Sequence, residues 1–162
     1  MEMLIKWLPA HCPAQEVTPS LVHGDFRIDN LIFDPHECRS KALLDWELST
    51  LGHPLADLAY FCMCLRLPAN GPIMGLQGAN RAESGLPDEK EIVATYCELR
   101  GIPAIDGWSF YLAMSFFRLA AIVQGVKKRA MDGNASHANA HEVGAMADTL
   151  ASMAVEVLEQ QG

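Results

Sequence analysis

The spacing of hydrophobic residues along the chain changes near residue 54. Before it, short apolar runs at 20–23, 30–34 and 41–47 are separated by turn-forming residues, and this pattern is typical of strands. The polar sequence PHECRS joins the second run to the third, so we expect these two runs to pair as a β-hairpin. The sequence STLGHP at 49–54 has the composition of a turn.

Longer apolar stretches follow, and they predict helices over 55–65, 88–99, 106–131 and 142–160. The first eight residues predict one more helix, which we expect to end before Pro9 because the residue preceding a proline avoids helical backbone angles. A glycine-rich stretch at 69–87 predicts a long loop. Because strands and helices are segregated along the chain, the fold class should be α+β, mostly helical with a small β-hairpin.

Composition narrows the class of protein. The chain has 162 residues, half of them hydrophobic, which suits one domain with a real core. The net charge of −8 argues against a nucleic-acid partner. The longest apolar segment, 108–126, is interrupted by Arg118 and Gln124, so we expect a buried helix and no membrane span. Scattered cysteines without C-x-x-C spacing predict buried reduced thiols and a cytoplasmic location: Cys12, Cys38, Cys62, Cys64 and Cys97.

Candidate chemistry is concentrated where the predicted strands meet loops. His23 and Asp25 follow the first run, Asn30 begins the second, and Asp45 ends the third. In a hairpin of 30–34 with 41–45, Asn30 and Asp45 lie at the same end, away from the turn. Amide and carboxylate oxygens suit a hard cation such as magnesium. Asp25 could be an acid that supports the metal ligands from behind, or a general base that accepts a proton from a substrate hydroxyl.

The spacing H-x-D-x-x-x-x-N, followed by an aspartate at a strand end, is the layout of a kinase catalytic loop and its metal-binding aspartate. The fragments here are HGDFRIDN and LLDWE. The sequence resembles the C-terminal lobe of the aminoglycoside phosphotransferase and choline kinase-like family. Three longer fragments resemble the kinase-like domain that is fused to some acyl-CoA dehydrogenases: LVHGDFRIDNLIFDP, LLDWELSTLGHPLADLAYF and WSFYLAMSFFRLAAIVQGVKKR.

This resemblance implies a role for each residue of the motif. Asp25 would be the catalytic base, and Asn30 and Asp45 would hold Mg²⁺ against the phosphates of ATP. His23 and Asp57 would support the catalytic loop. The implied reaction transfers the γ-phosphate of ATP to the hydroxyl of a small-molecule acceptor, with a hydroxy acid or hydroxyacyl-CoA as a candidate. No nucleic acid or membrane partner is expected.

The resemblance also implies a part that this chain does not contain. In the family, a glycine-rich lid and a phosphate-binding lysine lie in an N-terminal lobe upstream of the catalytic loop. We therefore expect residues 1–162 to form the C-terminal lobe alone, with the ATP-lid lobe absent and the isolated chain poorly active. The surface that such a lobe would cover could instead drive self-association.

Other interpretations remain open at this level. Asp25 or Asn30 alone would more commonly cap a turn. Without the lid, the chain could be a non-catalytic kinase-like binding or scaffold module, and a metal-dependent phosphoesterase is a more remote alternative. Arg27 could contact a phosphate or form a surface ion pair. The pair His137 and His141 has metal-binding spacing, but solvent exposure is the favoured interpretation.

Overall fold

The computed structural model describes residues 1–14, 18–134 and 139–160. The predicted α+β class is confirmed. The described helices are α1 (Glu2–Ala10), α2 (Leu55–Leu65), α3 (Glu89–Arg100), α4 (Trp108–Met131) and α5 (Ala140–Glu159). The described strands are β1 (Ser20–Val22), β2 (Leu31–Phe33), β3 (Ser40–Leu43) and β4 (Thr50–Gly52).

The core lies in a helical body, in which α4 packs against α5 and α2 while α1 covers one end. Its largest fully buried side chains come from all four of these helices and from the loop that follows α2: Phe116, Leu4, Met63, Leu67, Leu112, Leu150, Val123 and Cys62. Burying several large apolar side chains together removes a large area from water. The body therefore gives the rest of the chain a rigid support.

Helix α4 is the central helix of this body. By length and composition alone it is apolar enough to cross a membrane, so the expectation that Arg118 and Gln124 disqualify it is wrong. Half of its most apolar window is buried inside the fold. A core helix satisfies the same criteria because residues on most sides of it face other parts of the protein.

The strands form two antiparallel pairs. The predicted hairpin is confirmed, with Leu31 opposite Leu43 and an irregularity between Ile32 and Phe33. The prediction of a simple turn at 49–54 is wrong for its centre, since β4 pairs with β1. Residues 50–52 gain backbone hydrogen bonds from a strand about thirty positions earlier, and no local pattern announces that pairing.

Boundaries of the helices follow their end signals. Asp88 and Glu91 form a capping box at the start of α3, and Gly101 ends it in the left-handed conformation. Helix α1, in contrast, continues past the predicted stop and includes Pro9. Its last turn closes because the backbone N–H of His11 donates to the carbonyl of Trp7 at 3.1 Å. The loop at 69–87 contains no helix or strand, as predicted.

Candidate active site

One aspartate connects the catalytic loop to the helical body. Asp57 lies in the first turn of α2, and its two carboxylate oxygens accept from the backbone N–H groups of His23 at 2.6 Å and Gly24 at 2.9 Å. Hydrogen bonds to an ionised group are stronger than neutral ones. These are the contacts expected of a residue that braces the loop. They hold the backbone directly before Asp25 and so help to set the position of Asp25.

The imidazole of His23 connects the same loop to the end of β3. It is 2% exposed, its Nε2 lies 2.7 Å from the carbonyl oxygen of Leu44, and its Nδ1 lies 3.2 Å from the backbone N of Asp25. This pattern assigns a neutral ring, with Nε2–H donating to Leu44 and Nδ1 accepting from Asp25. The ring of Trp46 packs against it at a centroid distance of 4.8 Å. His23 is thus placed for support and not for chemistry.

Asn30 is buried beside the candidate base. Its Nδ2 donates to the backbone carbonyl of Asp25 at 2.9 Å and to the carboxylate of Asp25 at 3.2 Å. With the nitrogen used in this way, the amide oxygen is the atom left for another ligand. No described buried side-chain oxygen or nitrogen lacks a partner, so that oxygen still reaches the surface.

Asp45 lies at the end of the hairpin that Asn30 begins. The backbone N–H of Leu44 donates to the carbonyl of Asn30 at 2.8 Å, which places the two predicted ligands at the same end. Asp45 has a left-handed backbone with φ of 60°, the one non-glycine residue among those described to do so, and aspartate tolerates this region better than most residues. Its side chain is exposed.

The donor set fits a magnesium ion that is shared with a substrate. The described residues contain no group of three or more histidine, cysteine, aspartate or glutamate side chains that could hold a metal alone. Mg²⁺ commonly takes one or two protein oxygens and completes its shell with water and substrate phosphates. The amide oxygen of Asn30 and the carboxylate of Asp45 match that requirement.

Gly24 lets the catalytic loop pass close to the turn after β3. Its φ is +84°, and a Cβ built on it would lie 2.5 Å from the carbonyl oxygen of Leu48. Any side chain would therefore meet backbone and be strained as well. The glycine of the HGD sequence is required by the packing of two loops that both carry candidate site residues.

Tyr60 is a site residue that the sequence analysis missed. It is buried on α2, and its hydroxyl interacts with the carboxylate of Asp25. Burial, with smaller contributions from Cys64 and Asp25, raises the pKa of Tyr60 well above its usual range, so the hydroxyl keeps its proton and can donate. Its position three residues after Asp57 puts both on one face of α2, and this spacing was the available signal.

Several remaining sequence predictions have a definite outcome. Arg27 forms an ion pair with Asp29, the second of its two alternatives. His137 lies outside the described residues. The prediction of buried thiols holds for Cys62 and Cys97 but is wrong for two cysteines outside the helical core: Cys12 and Cys38 are exposed.

Comparison with known proteins agrees with this geometry. A family model described as the phosphotransferase enzyme family matches residues 1–92. A solved structure of a candidate aminoglycoside phosphotransferase from Ralstonia eutropha superposes with a TM-score of 0.90 and 45% identity, covering 98% of this chain and 48% of that chain.

Curated relatives carry the same segment within longer proteins. Acyl-CoA dehydrogenase family member 10 of Mus musculus is 49% identical over 163 residues, covering 100% of this chain and 15% of the relative. Acyl-CoA dehydrogenase family member 11 of Homo sapiens is 46% identical over 137 residues, covering 84% of this chain and 17% of the relative. The chain thus spans about a sixth of these relatives. Taken with the kinase-like geometry around Asp25, these findings show that the chain belongs to the phosphotransferase enzyme family.

Proposed function

We propose that the chain is the catalytic lobe of an ATP- and Mg²⁺-dependent small-molecule phosphotransferase. The observation that carries this proposal is the convergence of Asp25, Asn30 and Asp45 at one end of the hairpin. Two supports outside the hairpin, Asp57 and His23, hold that arrangement against the helical body. Phosphoryl transfer depends mainly on positioning and charge neutralisation, which such an arrangement can provide.

Each residue has a distinct part in the proposed reaction. The acceptor hydroxyl oxygen forms a bond to the γ-phosphorus as the bond from that phosphorus to the β,γ-bridging oxygen breaks, giving a phosphate ester and ADP. The carboxylate of Asp25 receives the hydroxyl proton. Asn30 and Asp45 would hold Mg²⁺, which supplies neutralisation of the phosphate charge. The Tyr60 hydroxyl, which keeps its proton, would donate to Asp25 and help to hold its carboxylate in place.

The proposed acceptor is a small hydroxylated molecule, with a hydroxy acid or a hydroxyacyl thioester as the leading class. Similarity to acyl-CoA dehydrogenase family members supports an acyl-type acceptor over an aminoglycoside. The net charge of −8 disfavours nucleic acid as a partner. A cytoplasmic location and the absence of a membrane partner remain parts of this proposal.

A non-catalytic binding module is the second candidate, and one observation favours it. Apolar side chains on the strand pairs are exposed, with Leu51 at 74%, Leu21 at 63% and Phe33 at 53%. An exposed apolar surface of this kind suits contact with a further lobe or with a second copy of the chain. In such a module, replacing the carboxylate of Asp25 would leave binding of the partner unchanged.

Calorimetric titration of ATP into this chain, with and without Mg²⁺, tests the first proposal. We expect binding that requires Mg²⁺ and that weakens at least about tenfold in Asp45→Asn, because a ligand carboxylate is lost. Glu47→Gln removes the same charge from an exposed neighbour and should leave binding unchanged. Asp25→Asn should keep binding and lose phosphoryl transfer. A folded chain that binds Mg²⁺–ATP equally well before and after Asp45→Asn would contradict the proposal.

A further inference from the structure

A cavity adjoins the catalytic loop on the side of α4. It has a volume of about 440 Å³ and reaches Gly24, the residue before the candidate base. Its wall is mainly apolar and comes from β1, the turn before β4, and helices α2 and α4, including Val22, Leu48, Ala56, Phe110 and Met114. A cavity of this size suits a small molecule with a hydrocarbon portion.

The charge in this cavity is opposite to the charge of the protein. Arg118 is the single residue with a permanent charge among the described residues that line it, and none of them is an aspartate or glutamate. His53 also lines it, but burial lowers the pKa of this imidazole, so it is neutral at pH 7. The chain as a whole carries a net charge of −8. Among the described lining residues, Arg118 thus has no acidic neighbour that would neutralise its charge.

Arg118 differs from the other partly buried arginines. Arg66 binds both carboxylate oxygens of Glu89, at 2.6 and 2.7 Å, and Arg27 pairs with Asp29. Within 1–14, 18–134 and 139–160, Arg118 has neither an ion pair nor a hydrogen bond. A guanidinium has five N–H donors, so this one retains its full capacity for an anion.

The ring of Tyr60 holds Arg118 near the candidate base. The guanidinium carbon lies 5.1 Å from the ring centroid of Tyr60, a cation–π arrangement. The hydroxyl of that same ring interacts with Asp25. One aromatic side chain thus links the cationic group to the candidate base, and the cavity that Arg118 lines reaches the loop at Gly24, next to Asp25.

We propose that this cavity is the acceptor site and that Arg118 binds a carboxylate of the acceptor. Planar guanidinium and carboxylate groups pair through two parallel hydrogen bonds, which suits recognition of a free hydroxy acid. The apolar wall would hold its hydrocarbon part, and its hydroxyl would face Asp25. This inference rests on the proposed function and makes Arg118 the residue that selects acids over their neutral analogues.

The test uses 3-hydroxyoctanoate and its neutral amide, 3-hydroxyoctanamide, titrated into this chain without nucleotide and followed by NMR chemical shifts. We expect the acid to bind at least about tenfold more tightly than the amide. Arg118→Gln should remove that difference, and Arg118→Lys should restore part of it. Arg129→Gln, an exposed arginine on the same helix, is the matched control and should change nothing.

A second variant covers the case in which Arg118→Gln does not fold. Met114 lines the cavity and is partly exposed, so Met114→Glu should fold while placing a carboxylate in the cavity. It should weaken binding of the acid and leave binding of the amide nearly unchanged. Urea unfolding of each variant establishes that it is folded, so that binding is compared between folded proteins.

Three results would overturn the inference. They are equal binding of acid and amide to the unchanged chain, an acid preference that survives Arg118→Gln, and no binding of either probe up to about 10 mM. In the second of these cases, loss of Mg²⁺–ATP binding in Arg118→Gln would show that Arg118 binds the nucleotide and not the carboxylate of the acceptor. Because these titrations contain no nucleotide, their failure is distinct from a failure of the Asp45→Asn test.

Discussion

The helical body and the strand pairs of this protein are stabilised in different ways. In the body, Phe116 and Leu150 are 0% exposed, and large apolar side chains from four helices meet around them. On the strand pairs, Leu51 and Phe33 are mostly exposed. The body therefore supplies most of the free energy of folding, and the strand pairs contribute little of it.

The positions of the site residues depend on a small number of polar contacts. Asp57 binds the loop at His23 and Gly24, and His23 binds the end of β3 through Leu44. Polar contacts are directional, so they set the geometry of a site more sharply than apolar contacts do. We therefore expect that substitutions can damage the stability of this chain and the geometry of its candidate site separately.

The largest expected effect comes from replacing a phenylalanine by alanine in the helical body, compared with the same replacement on the hairpin. Phe116→Ala should lower the free energy of unfolding by about 4 kcal/mol, because it leaves a cavity in a closely packed core. Phe33→Ala, on the exposed hairpin, should change it by less than about 0.5 kcal/mol. Urea unfolding followed by circular dichroism measures both. Comparable losses would show that the hairpin is part of the core and would remove the contrast.

A smaller effect is expected from the contact between the two regions. Asp57→Asn replaces one accepting oxygen with a donor that faces a backbone N–H group, and it should cost about 2 kcal/mol. Exchange of the His23 and Gly24 amide protons should accelerate more than exchange within α4. Asp148→Asn, an exposed residue on α5, serves as the control. Unchanged exchange at His23 would mean that other contacts hold the loop.

The smallest effect concerns a half-buried ion pair between Arg66, at the end of α2, and Glu89, at the start of α3. The carboxylate of Glu89 accepts hydrogen bonds from Arg66 and from the indole N–H of Trp108. Burial alone would raise the pKa of Glu89, but these hydrogen bonds hold it below its ordinary value of 4.5. Because folding lowers the pKa of Glu89, the ion pair stabilises the fold fully above pH 4.5. This stabilisation is lost as the pH falls through the lower pKa that Glu89 has in the folded state. Glu89→Gln should cost about 1 kcal/mol at pH 7.

The pH dependence sharpens that prediction. The difference in unfolding free energy between the unchanged chain and Glu89→Gln should stay constant from pH 7 to pH 5 and shrink below pH 4.5. Glu98→Gln, on the exposed face of α3, is the matched control and should show no such dependence. A difference that grows on acidification would contradict the assignment of a lowered pKa.

Much of the local structure could be predicted from short sequence signals. Asp88 and Gly101 mark the two ends of α3 by their own backbone and capping preferences. The hairpin was predictable from two apolar runs around a polar turn, and antiparallel pairing then places Asn30 and Asp45 together whatever the rest of the fold does. These features depend on residues that are near one another in sequence.

The class of fold, the hairpin and the candidate residues at its open end follow from the order of residues along the chain. Three features appear only in the folded structure: β4 pairs with β1, Tyr60 interacts with Asp25, and Arg118 lines an apolar cavity without an acidic partner among the described residues. Those three features join segments separated by about thirty to one hundred positions. Their energies arise when distant segments pack, so no local pattern of polar and apolar residues records them.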